Sequence, residues 1–227
     1  ARSQPAMAGG SIFVGSQNGT VFSLDEDSGC LRWMFKTTAE VRTGIVVSPW
    51  NAGKSATPLL YFGDIIGNVY AVNAINGELV WRDRADDHPS LTLTAAPSLY
   101  EGRLYVPLSA LEVTAAANPD YPCCTFRGGV AVYDAKSGEK QWTAYTIDQE
   151  PKEVGKNSVG TPRIAPSGAP VWNTPALDPK RGVMYVGTGT NYSSPANDTS
   201  DAILALDLKD GRIRWHQQMT KGDAWNM

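Results

Sequence analysis

Residues 203–215, Ile-Leu-Ala-Leu-Asp-Leu-Lys-Asp-Gly-Arg-Ile-Arg-Trp, carry the pattern that decides the fold. Apolar residues lead to Asp207, a glycine follows at Gly211, and a tryptophan follows at Trp215. The apolar run before the aspartate predicts a β-strand. An aspartate followed by a glycine is typical of a tight turn, since the aspartate oxygen accepts backbone hydrogen bonds and the glycine adopts positive φ. The stretch therefore predicts a β-hairpin with the tryptophan on its second strand.

The same spacing occurs in three earlier stretches of the chain. Each has Asp or Asn, then Gly four residues later, then Trp four residues after that: Asp25, Gly29, Trp33; Asn73, Gly77, Trp81; and Asp134, Gly138, Trp142. A further apolar segment precedes each hairpin: Ile12–Val14, Leu60–Phe62, Leu104–Val106 and Met184–Val186. We expect an additional strand from residues 94–99 and another from residues 171–177. Each repeat is therefore predicted to form a small antiparallel sheet.

Repeated small sheets of this kind are typical of β-propeller blades. The predicted repeat units cover residues 11–36, 58–84, 93–146 and 171–218, so the whole chain, residues 1–227, is interpreted as part of one all-β propeller. The four motif tryptophans are expected to pack between neighbouring blades. Because four blades rarely close a ring, we expect the chain to be a fragment of a larger propeller.

Composition excludes several functional classes. The 227 residues contain no apolar run long enough to span a membrane. The net charge of −3 without a block of Lys or Arg disfavours nucleic-acid binding. The two histidines, His88 and His216, lie far apart and no Cys-x-x-Cys occurs, which argues against a His/Cys zinc site and a c-type haem attachment.

The repeat resembles the tryptophan-docking repeat of the pyrroloquinoline quinone (PQQ) dehydrogenases, a family whose fold is an eight-bladed propeller. The resemblance implies that this chain supplies about four of those blades. The stretch from Ser167 to Trp225 is most similar to the polyvinyl-alcohol dehydrogenase branch of the family. PQQ-like repeats also occur in proteins that bind no cofactor, so the repeat alone does not specify an enzyme.

Two adjacent cysteines, Cys123 and Cys124, form the most unusual local feature. Adjacent cysteines can form a disulfide only through a small, strained ring, which would make a stiff apolar plate. The alternative is a pair of reduced thiols in the core. In the family that this chain resembles, a vicinal disulfide covers one face of the PQQ ring, which favours the first interpretation. The third cysteine, Cys30, is then unpaired, and we expect it to be a small buried residue.

The resemblance also implies several cofactor contacts. Thr94 and Ser109 match family residues that contact PQQ, and Arg127 matches the arginine that pairs with the quinone. Trp172 matches the tryptophan that lies under the ring, on the face opposite the disulfide. Each of these side chains, taken alone, could equally have an ordinary structural role. Together they predict a stacking site for a planar ligand.

A metal position accompanies the predicted cofactor. Glu112 matches the family glutamate that coordinates calcium, and Gly187-Thr-Gly-Thr-Asn191 resembles the segment that supplies an asparagine oxygen. Strict spacing favours Thr190, while residue type favours Asn191, and we prefer Asn191. Carboxylate and amide oxygens suit a hard cation such as Ca²⁺.

The catalytic base departs from the family pattern. Asn226 occupies the place of the aspartate that removes the alcohol proton, and an amide cannot act as a general base. Asp223, or a carboxylate outside this stretch, is then required as the base. Without one, the site would bind the cofactor and not turn over.

These observations predict a PQQ- and calcium-dependent alcohol dehydrogenase that acts on secondary, including polymeric, alcohols. A cytochrome c or a similar protein would accept the electrons. A disulfide requires an oxidising compartment, so we expect a periplasmic or secreted protein. The alternative is a noncatalytic PQQ-like propeller that serves as a binding or assembly scaffold.

Overall fold

A computed structural model of the chain describes residues 3–50 and 57–224. The described part is almost entirely β-structure, with one short helix. The strands form antiparallel sheets in which neighbours in the sheet follow one another along the chain. This arrangement confirms the all-β prediction.

The first two sheets each contain four strands in sequential order. The first sheet consists of β1 (Ala6–Ala8), β2 (Ser11–Gly15), β3 (Thr20–Asp25) and β4 (Leu31–Lys36). The second sheet consists of β5 (Val46–Val47), β6 (Leu59–Gly63), β7 (Asn68–Asn73) and β8 (Leu79–Arg84).

The third sheet has an additional short strand and is followed by the helix. Its strands are β9 (Leu91–Thr92), β10 (Ser98–Tyr100), β11 (Arg103–Ala110), β12 (Gly129–Asp134) and β13 (Lys140–Tyr145). Four of them follow the order β10-β11-β12-β13, and β9 pairs with β11. The helix α1 (Glu112–Ala115) lies in the long connection between β11 and β12.

A two-stranded sheet precedes the last four-stranded sheet. The small sheet pairs β14 (Lys152–Lys156) with β15 (Pro162–Ala165). The last sheet contains β16 (Ala176–Asp178), β17 (Val183–Gly187), β18 (Ala202–Asp207) and β19 (Ile213–Gln218).

The hairpin turns predicted from the repeat have the same geometry in all four sheets. In each turn the motif glycine donates its N–H to the backbone oxygen of the motif Asp or Asn at 2.9 Å. The motif glycines have φ between +69° and +78°, a region that residues with a Cβ rarely adopt. The side-chain oxygen of Asp134 accepts the N–H of Ser137 at 2.7 Å. The local sequence therefore determines the turn, as predicted.

Three motif tryptophans contact the motif glycine of the following repeat. Trp33 donates its Nε1–H to the backbone oxygen of Ala74 at 3.1 Å. A Cβ at Gly77 would lie 2.7 Å from the Trp33 ring, and one at Gly211 would lie 2.7 Å from the Trp142 ring. Each indole can pack closely because the motif glycine has no side chain. These contacts confirm the predicted packing between neighbouring repeats for three of the four tryptophans. The fourth, Trp215, is 49% exposed within the described residues, so its packing stays a prediction.

The chain divides into two compact units. The first contains residues 1–86, 92–106 and 132–141, and the second contains residues 87–91, 107–131 and 142–227. A core in the first unit brings together apolar residues of the first two sheets and their connections, including Phe13, Val41, Leu60, Phe62 and Tyr70.

Two details of the sequence interpretation differ from the structure. The strands expected over residues 94–99 and 171–177 are shorter, and run over Ser98–Tyr100 and Ala176–Asp178. Cys30 is unpaired as expected but exposed, because it directly follows the turn glycine at the tip of a hairpin. No helix within residues 3–50 and 57–224 is long and apolar enough to cross a membrane.

Candidate active site

Short backbone segments run side by side in the second unit and gather most of the predicted site residues. Residues 123–128 lie beside residues 163–168, since Cys124 N–H donates to the Ile164 oxygen at 3.1 Å and Gly128 N–H donates to the Gly168 oxygen at 2.8 Å. Residues 168–171 in turn lie beside residues 188–192, where Ala169 N–H donates to the Thr190 oxygen at 3.0 Å.

Strand β11 joins the same group of segments. Val171 N–H donates to the oxygen of Leu108 at 2.9 Å. Ser109 follows Leu108 and Trp172 follows Val171, so Ser109 and Trp172 belong to adjacent segments. Gly168 allows the close approach, because a Cβ there would lie 2.7 Å from the Thr190 oxygen. The structure thus brings together the segments that carry Ser109, the cysteine pair, Arg127, Trp172 and Asn191. Thr94 belongs to the first unit, so its predicted cofactor contact stays a prediction.

Cys123 and Cys124 form the vicinal disulfide, and the peptide bond between them is cis. Cys124 is fully buried, whereas Cys123 lines a cavity of about 340 Å³. Tyr121, Arg163 and Tyr192 are among the other residues that line this cavity. Of the two interpretations open from the sequence, the disulfide is therefore confirmed over the pair of reduced thiols.

Glu112 begins helix α1 and is fully buried. Its carboxylate accepts hydrogen bonds from Thr125 N–H at 2.8 and 3.0 Å, from Phe126 N–H at 2.8 Å and from the Tyr121 hydroxyl at 3.1 Å. His88 Nε2 lies 3.6 Å from the same carboxylate. The buried carboxylate thus fixes the backbone directly after the disulfide.

The surroundings of Glu112 keep its carboxylate ionised. Burial raises its pKa and is the largest single influence, but the His88 contact and the backbone N–H groups of Phe126 and Thr125 act against it. Together these donors hold the pKa of Glu112 below its ordinary value. Burial of the Tyr121 phenol raises its pKa to about 12, and the nearby charge of Glu112 adds to this increase.

In the described conformation, the carboxylate of Glu112 is not free to chelate a cation through both oxygens. Thr125 N–H contacts both carboxylate oxygens, so it occupies the position from which a cation would bind the two oxygens together. Phe126 N–H and the Tyr121 hydroxyl take the remaining oxygen lone pairs. Within residues 3–50 and 57–224, no group of three or more His, Cys, Asp or Glu side chains could hold a metal ion.

Asn191 is also buried, and its amide is held by its own loop. Its Oδ1 accepts the N–H of Asn197 at 3.0 Å, and its Nδ2 donates to the backbone oxygens of Asn197 and Asp223 at 3.3 and 3.2 Å and to the Ser200 hydroxyl. The rival ligand, Thr190, donates its hydroxyl to the backbone oxygen of Asn191 at 3.2 Å. The assignment of Glu112 and Asn191 as metal ligands stays a prediction.

Arg127 lies in the same segment as the disulfide, but its guanidinium contacts another set of residues. It lies 4.0 Å from the centre of the Tyr145 ring and donates to Glu150 at 2.6 Å and to the backbone oxygen of Ile147 at 3.3 Å. It also lines a cleft of about 450 Å³, together with Tyr145 and Arg212. Its predicted pairing with the quinone stays a prediction.

Trp172 presents an open aromatic face. Its side chain is 42% exposed, and its pyrrole edge lies over Gly189, where a Cβ would be 3.0 Å from the indole Nε1. An aromatic ring that lies on a glycine and remains open to solvent can stack on a planar molecule. This feature fits the predicted planar cofactor, which Trp172 would hold from one side.

Two acidic side chains lie near the end of the described chain. Asp223 is exposed, and its backbone oxygen accepts the amide of Asn191. Asp201 is partly buried, and its Oδ2 has no hydrogen-bond partner within the described residues. Asn226, which occupies the family position of the base, and Trp225 lie outside the described residues.

Three residues of this region were not predicted from the sequence: His88, Tyr121 and Asp201. His88 and Tyr121 reach Glu112 only through the folded path of the connecting loops, and no motif marks either of them. Asp201 had one available signal, the Ser-Asp pair directly before an apolar strand.

Comparisons with known proteins agree on one family. The family model for the β-propeller domain of PQQ-dependent glucose, ethanol and alcohol dehydrogenases matches residues 1–227. A polyvinyl alcohol dehydrogenase of Pseudomonas sp. is 34% identical over 98% of this chain and 35% of its own length. A second polyvinyl alcohol dehydrogenase, from Sphingopyxis sp., is 33% identical over 98% of this chain and 34% of its own length.

A solved structure has the same fold. A quinohemoprotein alcohol dehydrogenase of Pseudomonas putida matches 98% of this chain and 34% of its own chain, with a TM-score of 0.73 and 22% identity. The chain therefore spans about a third of the length of the relatives that it matches. The repeats, the vicinal disulfide and these matches together show that the chain belongs to the PQQ-dependent alcohol dehydrogenase family and forms part of its β-propeller domain.

Proposed function

We propose that the full-length protein oxidises alcohols with PQQ as its cofactor, and that secondary alcohols, including polymeric ones, are its substrates. The observation that carries this proposal is the 34% identity to a polyvinyl alcohol dehydrogenase over 98% of the chain. A polymeric secondary alcohol is what that relative's name specifies. Because this chain spans about a third of that relative, the activity is proposed for the whole protein.

The residues of this chain would bind and orient the cofactor. PQQ, when bound, supplies the two-electron oxidation of the alcohol. The open face of Trp172 supports one side of the planar ring, and we assign the other side to the Cys123–Cys124 plate. Ser109 and Thr94 complete the proposed contacts, with Arg127 as the proposed charge partner of the quinone.

Calcium is part of the proposal as a second cofactor, with Glu112 and Asn191, or its rival Thr190, as proposed ligands. In the described conformation, binding of calcium at Glu112 requires one structural change. Thr125 N–H must leave the chelating position of Glu112 before a cation can enter. No catalytic step is therefore assigned to the metal.

The electron acceptor and the compartment complete the proposal. A cytochrome c-type protein is the proposed acceptor, supported by the words cytochrome c in the name of a 26% identical relative, a lupanine 17-hydroxylase of Pseudomonas sp.. The disulfide favours a periplasmic or secreted location, because reducing compartments keep most thiols reduced.

Dye reduction by the full-length protein tests the activity. The protein is incubated with PQQ and CaCl₂ and then given 2,4-pentanediol as a short secondary alcohol. We expect reduction with the diol and none with 2-methyl-2-propanol, which has no hydrogen on its carbinol carbon. Binding of PQQ without reduction of the dye would instead support the noncatalytic scaffold.

A further inference from the structure

Asp201 is held in an unusual backbone conformation directly before β18. Its φ of +45° lies in the left-handed region, which few residues other than glycine adopt. Its N–H donates to the oxygen of Gly189 at 3.0 Å, and its own oxygen accepts the N–H of Met219 at 2.8 Å. Such conformations persist where the surroundings enforce them, and they cluster at functional sites.

The backbone contact places Asp201 next to the proposed cofactor position. Gly189, which accepts the N–H of Asp201, is the glycine over which the Trp172 indole lies. One backbone hydrogen bond thus joins Asp201 to the glycine beneath the Trp172 indole.

The Asp201 carboxylate lacks the kind of partner that Asp207 of the same unit has. Its Oδ2 is buried without a hydrogen-bond partner among the described residues. Asp207, at the end of the same strand, accepts hydrogen bonds from Arg214 at 2.6 and 3.0 Å. Buried acceptors without a donor are rare and destabilise the fold, so each one calls for a reason.

The electrostatics of Asp201 also differ from those of Asp207. Burial raises the pKa of Asp201, and the nearby charge of Asp223 raises it further. The Arg214 contact instead lowers the pKa of Asp207. A carboxylate with a raised pKa is a better proton acceptor than an ordinary surface aspartate.

We propose that Asp201 is the general base that accepts the hydroxyl proton of the alcohol substrate. The inference rests on the proposed function, and it supplies the carboxylate that Asn226 cannot provide. The carboxylate of Asp201, a partly exposed residue with no donor on Oδ2 in the described part of the chain, would take the substrate O–H as its hydrogen-bond donor. Asp201 would then receive the hydroxyl proton as the alcohol is oxidised to a carbonyl compound. PQQ, when bound, would supply the two-electron acceptor for the carbinol hydride.

Kinetics and stability of Asp201→Asn in the full-length protein with PQQ test this proposal. Asparagine has nearly the same shape and cannot accept the proton, so we expect kcat to fall by about 100-fold or more. The dissociation constant of PQQ should stay within twofold of the original value. The melting temperature should be equal or higher, because the substitution removes a buried charge that has no donor.

Asp198→Asn is the matched control. Asp198 lies three residues earlier, is exposed and has the same charge, with His216 at 3.4 Å. This variant should retain kcat. A kcat for Asp201→Asn above a tenth of the original value would overturn the proposal. A clear fall in the melting temperature of this variant together with weaker PQQ binding would indicate a structural role and would also overturn it. If the unsubstituted protein bound PQQ but oxidised no alcohol, the proposed function itself would fail.

Discussion

The indole of Trp81 lies over Gly138, and its Nε1–H donates to the backbone oxygen of Ala135 at 2.9 Å. A Cβ at Gly138 would lie 2.5 Å from the indole Cδ2. One repeat thus packs on the next through a residue that has no side chain. Since a glycine stands at this place in each repeat, the contact links the sequence motif directly to the fold.

Gly138→Ala should destabilise the protein much more than Gly102→Ala. Both glycines have positive φ, of +76° and +74°, so both substitutions carry the same backbone penalty of about 1 kcal/mol. A Cβ at Gly102 meets nothing within 4 Å, whereas one at Gly138 collides with Trp81. We expect Gly138→Ala to cost about 1–3 kcal/mol more, measured by denaturant unfolding. Equal losses would show that the indole contact contributes nothing.

The disulfide can be checked by counting thiols. Without reduction, iodoacetamide should label one cysteine, the exposed Cys30, which serves as an internal control. After reduction and unfolding, Cys123 and Cys124 should add two more labels, and the intact mass before reduction should be lower by two hydrogens. Labelling of all three cysteines in the unreduced protein would contradict the assigned pair.

Glu112→Gln should destabilise the second unit. The glutamine amide would place N–H groups against the backbone donors of Thr125 and Phe126, in a fully buried position. The expected loss is about 2–4 kcal/mol in the free energy of unfolding. Glu153→Gln, on the exposed surface of β14, is the control and should change stability by less than about 0.5 kcal/mol. A Glu112→Gln variant as stable as this control would show that the carboxylate does not fix the loop.

The fold followed from the sequence because its determinants are local. An aspartate, a glycine and a tryptophan at fixed spacing specify a turn and a packing contact within a single repeat, and Trp33, Trp81 and Trp142 pack as predicted. The burial of Cys30 was predicted wrongly, since its place beside the turn glycine outweighs the usual preference of cysteine for the core. The predicted contacts of Thr94 and Arg127 would depend on a bound cofactor, and turn chemistry does not predict them.

The candidate site was only partly predictable. The adjacent cysteines Cys123 and Cys124 are marked by unusual sequence, and Trp172 was predicted from the family resemblance. The environment of Glu112 instead arises from contacts between distant segments. His88 lies 24 residues before Glu112 and reaches it across a loop, so no spacing rule connects them. Asp201 depends on a left-handed backbone and a missing donor, neither of which a sequence pattern records.

Binding of PQQ to the full-length protein tests the central claim most directly. Equilibrium dialysis would compare the unsubstituted protein with Trp172→Ala and with Trp172→Phe, a control that keeps an aromatic ring for stacking. We predict a dissociation constant in the micromolar range or below for the unsubstituted protein and for Trp172→Phe. Trp172→Ala should bind at least about tenfold more weakly, because it loses the stacking surface. An unsubstituted protein that binds no PQQ at micromolar concentration, or variants that bind equally well, would contradict the proposed cofactor site.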